Sequence, residues 1–398
     1  MADSPWLSII GLGEDGPDGL CPASKSALDS AEIIMGPPRH LSLLTTQKAK
    51  RIEWPVPFAR GIDDLMALKG KKVAMLVSGD PFWFGAGSTI VQKLDTLEWQ
   101  AFPGRSTFSL VAARMGWPLE KTLCAGLHAA PLTRLRPALA PGQRAIVLLR
   151  DETAVHDLVE LLKSASFGAS QMTTFSCVGG PRETRATAQA DTWTNQSAQH
   201  PVCVALEVDG TGAVLPQSSG LPDAVFETDG VMTKRPIRAL TLSTLAPRPF
   251  EHLWDIGGGS GSISIEWLLS HPSTRATCIE PRADRVSLIR SNADRLGVDR
   301  IQIAHGTAPD ILSELDPPDV VFIGGGLTEE LLGRLVELPS GTRLVANAVT
   351  LESQSLLERA QGSFGGDLLR VDISQSAPVG TKRGWKAAYP LVQWSCVV

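Results

Sequence analysis

Residues 253–261, Leu-Trp-Asp-Ile-Gly-Gly-Gly-Ser-Gly, run a short apolar strand into Asp255 and then place glycines at every second position, Gly257, Gly259 and Gly261. Residues of this type and spacing suit a strand-to-helix turn whose backbone closes on a nucleotide-like ligand, because a side chain there would hold the ligand away. The dinucleotide pattern G-x-G-x-x-G would put its third glycine at Ser262, so the spacing favours S-adenosylmethionine over NAD. Alone, such a turn serves equally well as a tight connection. Its context adds weight. A strand over 276–280 ends in Glu280 about 20 residues after the turn, where a ribose diol takes a paired acceptor. Glu280 is the ribose ligand candidate, and a solvated carboxylate at an exposed strand end is its plain alternative. Gly306, Thr307, Ala308 and Pro309 then form a turn suited to lie along an adenine, and Gly324, Gly325 and Gly326 open a loop over the ligand.

These residues need a sheet to hold them. Apolar runs at 253–256, 276–280, 301–304, 320–323, 343–346, 368–373 and 387–394 alternate with helical patterns and predict seven strands in a doubly wound parallel sheet, the last pair hairpin-like. That suits a Rossmann-type methyltransferase better than a dehydrogenase. The first half is also α/β, with strands predicted at 6–10, 33–35, 72–77, 99–102 and 144–149 and helices at 22–31, after Ser106 and from Thr153. Strands near 172–178, 184–190 and 202–208 follow with short connections and suggest a mixed sheet. Strand after strand ends in a Gly/Pro turn: Gly11 to Gly16, then Ser78-Gly79-Asp80-Pro81, then Pro103-Gly104-Arg105-Ser106. In open α/β sheets such ends line the ligand crevice.

At 398 residues, two domains are the natural expectation. The stretch from Gly210 to Thr233 is rich in Gly, Pro, Ser and Asp without sustained periodicity. It reads as a linker at 211–229 between domains of 1–210 and 230–398. No apolar run approaches the roughly 18 residues that cross a bilayer, and the first residues lack the basic and apolar regions of a signal peptide. A cytoplasmic location is expected. The six cysteines form no C-x-x-C pair and read as buried free thiols, and the seven histidines show no clustering, so no metal site is expected. A net charge of −5 argues against a nucleic-acid protein with a basic surface, though not against a local basic pocket.

Both halves resemble known families. Gly11-Leu12-Gly13, the run Gly-Pro-Pro-Arg39-His40-Leu, Ser78 to Pro81, Pro103 to Ser106 and Gly126-Leu127-His128 resemble the tetrapyrrole methylases, in particular the cobalamin-pathway branch acting on carbon 5. Met232-Thr233-Lys234-Arg235, the 255–261 turn, Gly306 to Pro309 and Gly324 to Gly326 resemble the partner branch that methylates carbon 15 and removes a carboxyl. In tandem they are similar to the precorrin-6Y C5,15-methyltransferase (decarboxylating) family. The resemblance implies an N-terminal tetrapyrrole methylase fold, a C-terminal seven-stranded class I methyltransferase, and two S-adenosylmethionine sites per chain. Gly11, Gly13, Gly79, Asp80, Trp83, Ser106 and Thr107 would line the first cofactor site. Asp255, the three alternate glycines, Glu280, Gly306, Thr307 and Ala308 would line the second. Glu14 stands where many tetrapyrrole methylases carry proline, and Gly258 where several relatives have Cys or Ala beside the ligand backbone.

The implied substrate is a precorrin, and the implied reaction methylates carbons 5 and 15 and removes the ring C acetate carboxyl. Its many carboxylates call for cationic anchors. Arg39 and His128, with His40 and Arg105 beside them, are the candidates in the first half. Thr233, Lys234, Arg235, Arg238, Lys382 and Arg383 are those of the second, each weighed against a plain surface charge. No catalytic residue is identified. A homo-oligomer, no nucleic acid and no membrane are expected as partners. Two other readings are open: a nucleic-acid base methyltransferase using Asp316-Pro317-Pro318-Asp319, disfavoured because that run precedes its strand and has Asp319 at the aromatic position; and a single methyltransferase carrying a non-catalytic N-terminal binding module.

Overall fold

Continuous apolar runs bury both faces of a strand, and the first half contains a sheet of that kind. In the computed structural model, which describes residues 5–45, 47–194 and 198–398, β1 (Leu7–Leu12), β2 (Ile33–Gly36), β3 (Lys50–Glu53), β4 (Val73–Ser78) and β5 (Trp99–Phe102) are all parallel, in the order β3-β2-β4-β1-β5. The side-chain period of two divides them between two cores. Leu7 and Ile9 pack with Met35 and Met75 on one face, Ile10 and Leu12 with Ile34 and Leu76 on the other.

A second sheet completes this unit: β6 (Leu123–Gly126), β7 (Arg144–Leu149), β8 (Gln171–Ser176), β9 (Thr184–Gln189) and β10 (Val202–Glu207), in the order β6-β7-β10-β8-β9. It is mixed, as the short connections predict: β6 and β7 are parallel, and β10 runs antiparallel to β7 and β8. The helix Thr153–Ser164 buries Val155, Leu158, Val159 and Leu162, the stripe visible in its sequence.

The other unit holds a seven-stranded sheet of β11 (His252–Ile256), β12 (Arg275–Glu280), β13 (Gln302–His305), β14 (Val320–Ile323), β15 (Arg343–Ala348), β16 (Asp367–Val371) and, after a separate ribbon of β17 (Ser374–Val379) and β18 (Lys382–Ala387), β19 (Leu391–Val397). The order is β13-β12-β11-β14-β15-β19-β16. Six strands run the same way and β19 runs against both of its neighbours, so the last pair, β16 and β19, is antiparallel as its hairpin-like reading expects. The strand expected at 387–394 is split between β18 and β19. The β17–β18 ribbon is almost wholly exposed and so carries no alternation of apolar and polar residues to announce it.

The chain divides into one compact unit of residues 1–132 and 139–213 and another of 133–138 and 214–398. The stretch read as a linker belongs largely to the second: Leu215, Leu221 and Phe226 are buried in its core with Leu242, Ile265 and Trp267. The apolar residues of that stretch, scattered among Gly, Pro and Ser, have no periodicity, yet these three fill places in that core. No helix among the described residues is long and apolar enough to cross a membrane.

Candidate functional sites

In the second unit a cleft of about 500 Å³ opens at the carboxyl ends of β11, β12 and β14. Gly257, Gly259 and Gly261 have φ of 78°, 59° and 75°, the left-handed region that side chains avoid. Their surroundings differ. A Cβ on Gly257 would lie 2.8 Å from the Gly325 nitrogen, and one on Gly259 would meet nothing nearer than 3.9 Å, so Gly259 is the turn's open side. Gly261 does not line the cleft; a Cβ there would sit 2.9 Å from Ile289, and the glycine lets helix Ser262–Ser270 pack against helix Ala283–Arg295. Gly258 faces the Cys278 sulfur, which a Cβ would overlap, so packing rather than a ligand calls for glycine there.

Glu280 is 2% exposed, not the solvated strand end that its position suggested. Its Oε2 accepts from the Gly259 N–H at 2.9 Å and its Oε1 from the Arg282 N–H at 3.1 Å, so the carboxylate ties the glycine turn to the end of β12. Asp255 is also buried; its Oδ2 accepts from the Ser264 N–H at 3.1 Å and Oγ at 2.7 Å. Burial, assisted by the Glu280 charge and opposed by the Ser264 bonds, pushes the Asp255 carboxyl up to about 6. The native state therefore holds more protons at Asp255 than the unfolded chain does. The stabilisation from its protonation is complete below the unfolded value of 3.8 and is lost as pH rises through about 6. Measured against an Asp255→Asn variant, wild-type thermal stability is expected to fall between about pH 4 and pH 6; parallel pH profiles would contradict the assignment.

Thr233, Gly306, Thr307 and Ala308 line this cleft together with Arg282 and Arg285. Five expected anchors do not. Arg238 is wholly buried and bonds to Glu266, Asp223 and the carbonyls of Thr233 and Leu221. A guanidinium so fully engaged is a structural brace, not a substrate anchor. Lys234 precedes helix Arg235–Leu245 without a side-chain capping bond and is exposed outside the cleft lining, as Arg235 is, and Lys382 and Arg383 lie on the exposed β17–β18 ribbon. The Asp316 to Asp319 run lies at the amino end of β14, where the Asp319 carboxylate accepts from the His252 N–H. It is a turn at the end of the sheet opposite the cleft.

In the first unit a cleft of about 610 Å³ is lined by Gly13, Glu14, Arg39, His40, Gly79, Asp80, Trp83, Arg105, Ser106, Thr107, His128 and His200. Gly11 lies behind this lining: a Cβ there would overlap the Gly79 carbonyl oxygen, which accepts from the Gly104 N–H at 3.0 Å. Glycine at 11 thus lets three strand ends converge. The Asp80 Oδ1 accepts from the Phe82 N–H at 2.8 Å and fixes the turn that carries Trp83 and Phe84, whose rings lie 4.8 and 5.8 Å from that of Phe108. Ser106 caps helix Thr107–Met115 by accepting from the Ser109 N–H. Val56, Trp83 and Phe84 are exposed, Val56 at 91%, and give the mouth an apolar rim.

The polar side of this cleft is a network. Arg39 pairs with Glu14, and its Nη2 lies 2.9 Å from the Ser78 Oγ and 2.9 Å from the His40 Nε2. Arg182, which the sequence did not single out, reaches the other Glu14 oxygen at 3.2 Å. Burial and the Arg39 charge push His40 down to about 3, so its imidazole is neutral. Burial and then the His200 charge also lower His128. Among the described residues no group of three His, Cys, Asp or Glu side chains is placed to hold a metal ion.

Residues 7–191 match the family described as tetrapyrrole (corrin/porphyrin) methylases, and residues 224–398 match one described as a precorrin methyltransferase domain. The chain is 43% identical to a Sinorhizobium protein named precorrin-6Y C(5,15)-methyltransferase (decarboxylating), over 98% of this chain and 96% of that one. A Mycobacterium tuberculosis protein of the same name is 38% identical over 98% and 99%. Among solved structures, the C-terminal domain of precorrin-6Y C5,15-methyltransferase from Rhodobacter capsulatus is 52% identical, covering 46% of this chain and all of that one, with a TM-score of 0.45.

Proposed function

Since the chain belongs to the precorrin-6Y C5,15-methyltransferase (decarboxylating) family, we propose that it carries two cofactor sites and divides the work between them, methylating carbon 5 of a precorrin in the first cleft and carbon 15 in the second. The second cleft also removes the ring C acetate carboxyl, and the product is precorrin-8X. The observation that carries the reading is two separate clefts in one chain, each at the carboxyl ends of parallel strands and each walled by glycine turns.

The residues of the second cleft fit S-adenosylmethionine. Gly259, Gly325 and Gly326 leave open space where a Cβ would stand, and the Ser260 Oγ is a buried polar atom without a partner in the cleft lining. Glu280 would take the ribose hydroxyls, and the 306–308 turn would lie along the adenine. When bound, this cofactor supplies an electrophilic methyl group on a sulfonium. Methyl transfer needs orientation and the exclusion of water more than acid or base groups, and a positioned pair gains about 7–11 kcal/mol from proximity. In the first cleft the apolar rim of Val56, Trp83 and Phe84 supplies a dry wall for a flat conjugated ring. In decarboxylation the bond to the acetate carboxyl breaks, carbon dioxide leaves, its electron pair passes into the macrocycle, and a proton returns to the methylene carbon to leave a methyl group. Keeping water from the carboxylate favours loss of that charge.

Calorimetric titration of the full chain with S-adenosylmethionine tests the division. Two sites are expected; one site would favour a methyltransferase carrying a binding module. Glu280→Ala should weaken the second site alone, by about 1.5–3 kcal/mol for hydrogen bonds to a charged group. It should also lower stability, because the Gly259 N–H loses its acceptor. Unchanged affinity at both sites would make Glu280 a brace of the turn and nothing more.

A further inference from the structure

We infer that Glu14, Arg39 and Arg182 form a carboxylate-receiving site in the first cleft, in which Arg39 meets one peripheral acid of the substrate, Glu14 holds Arg39 in place, and Arg182 offsets the charge of Glu14. This rests on the reading that the cleft takes a polycarboxylate macrocycle. Glu14 is 6% exposed, and the backbone at Gly180 presses on it so closely that a Cβ there would lie 2.5 Å from the Glu14 Cβ. The base of the side chain is packed against that backbone, and two ion pairs hold its carboxylate. One oxygen takes Arg39 and the other takes Arg182.

The arrangement has a charge logic. A buried carboxylate bound to Arg39 alone would cancel the charge that a substrate acid needs. A second guanidinium on the same carboxylate restores one net positive charge, and His40 adds none because it is neutral. Arg105, the other arginine lining this cleft, is paired one-to-one with Asp15. Arg39 has five N–H donors. Three go to Glu14, Ser78 and His40, which leaves two donors without a partner among the described residues, on a side chain that lines the cleft and is 23% exposed. The guanidinium is thus fixed, charged and still able to donate. Arg182 is not part of the cleft lining and is 58% exposed, so it acts through Glu14 and is a positioning residue.

The test uses the full chain with its precorrin substrate and S-adenosylmethionine, scoring the methyl groups at carbons 5 and 15 separately. Arg182→Gln should raise KM for carbon 5 methylation about fivefold while kcat stays within about twofold, the size expected for one partly screened charge. Arg182→Lys, which keeps the charge without the fork, should restore KM. Glu14→Gln should raise KM and lower kcat together, because Arg39 loses its anchor, and carbon 15 methylation should be unchanged in all three. A KM unmoved by Arg182→Gln, or one that lysine does not restore, would overturn the inference. A wild-type chain that never methylates carbon 5 would instead overturn the proposed function on which it rests.

Discussion

Gly259→Asp is expected to abolish methylation at carbon 15 and decarboxylation while carbon 5 methylation continues, and Asp80→Ala to do the reverse. At Gly259 the backbone has φ of 59° and a Cβ would point into open cleft, so an aspartate there is strained and also places an anion where the cofactor must lie. A loss of about 3 kcal/mol or more in binding, a hundredfold or greater, follows. Asp80 acts differently. Its carboxylate holds the Phe82 N–H and with it the turn that presents Trp83 and Phe84 to the first cleft. Without that bond the apolar wall loses its shape. Isotope-labelled methyl transfer with NMR of the macrocycle reads both positions in one product. If folded Asp80→Ala protein loses both methyl groups, the clefts do not act independently, and the two-site reading fails.

Arg238→Ala should have the largest effect on folding, about 3–5 kcal/mol, the range seen when one partner of a buried ion pair is removed. The side chain is wholly buried and Glu266, its partner, is nearly so; Arg238 also donates to the carbonyls of Leu221 and Thr233. Replacing both partners, as in Arg238→Met with Glu266→Leu, often recovers the stability of such pairs. Here it should recover only part, because Glu266 also accepts from the N–H groups of Gly220 and Leu221, which would be left buried and unpaired. Thermal or urea unfolding of the full chain should show the second unit's transition shifted and the first unit's unchanged. Full recovery in the double variant would mean that those two amides find other acceptors.

Most strands and both glycine-rich turns were legible from the chain, because each rests on local patterning. Apolar runs of buried strands, the helical stripe of Thr153–Ser164, and glycines at alternate positions are all short-range features. The β17–β18 ribbon was not legible, since exposure on both faces removes the alternation that marks a strand. The 211–229 stretch looked like a linker because its few apolar residues, spread among Gly, Pro and Ser, make no period, and only packing shows that Leu215, Leu221 and Phe226 belong to a core.

Charged residues divide most sharply between what sequence and structure decide. Residue type and spacing located Asp255, Glu280 and Asp80 at the ends of strands, where the sheet's direction brings ligand-binding groups together, and the family resemblance added Arg39. Whether a given charge meets solvent, ligand or another charge depends on residues far away in the chain. Arg238 is spent on Glu266 and on the carbonyl of Leu221, and Glu14 is shared between Arg39 and Arg182, a partner 168 positions on. The sequence supplied the chemistry available at each strand end; the tertiary fold decided which charges it consumed as braces and which it left facing a cleft, because burial makes an unpaired charge too costly to keep.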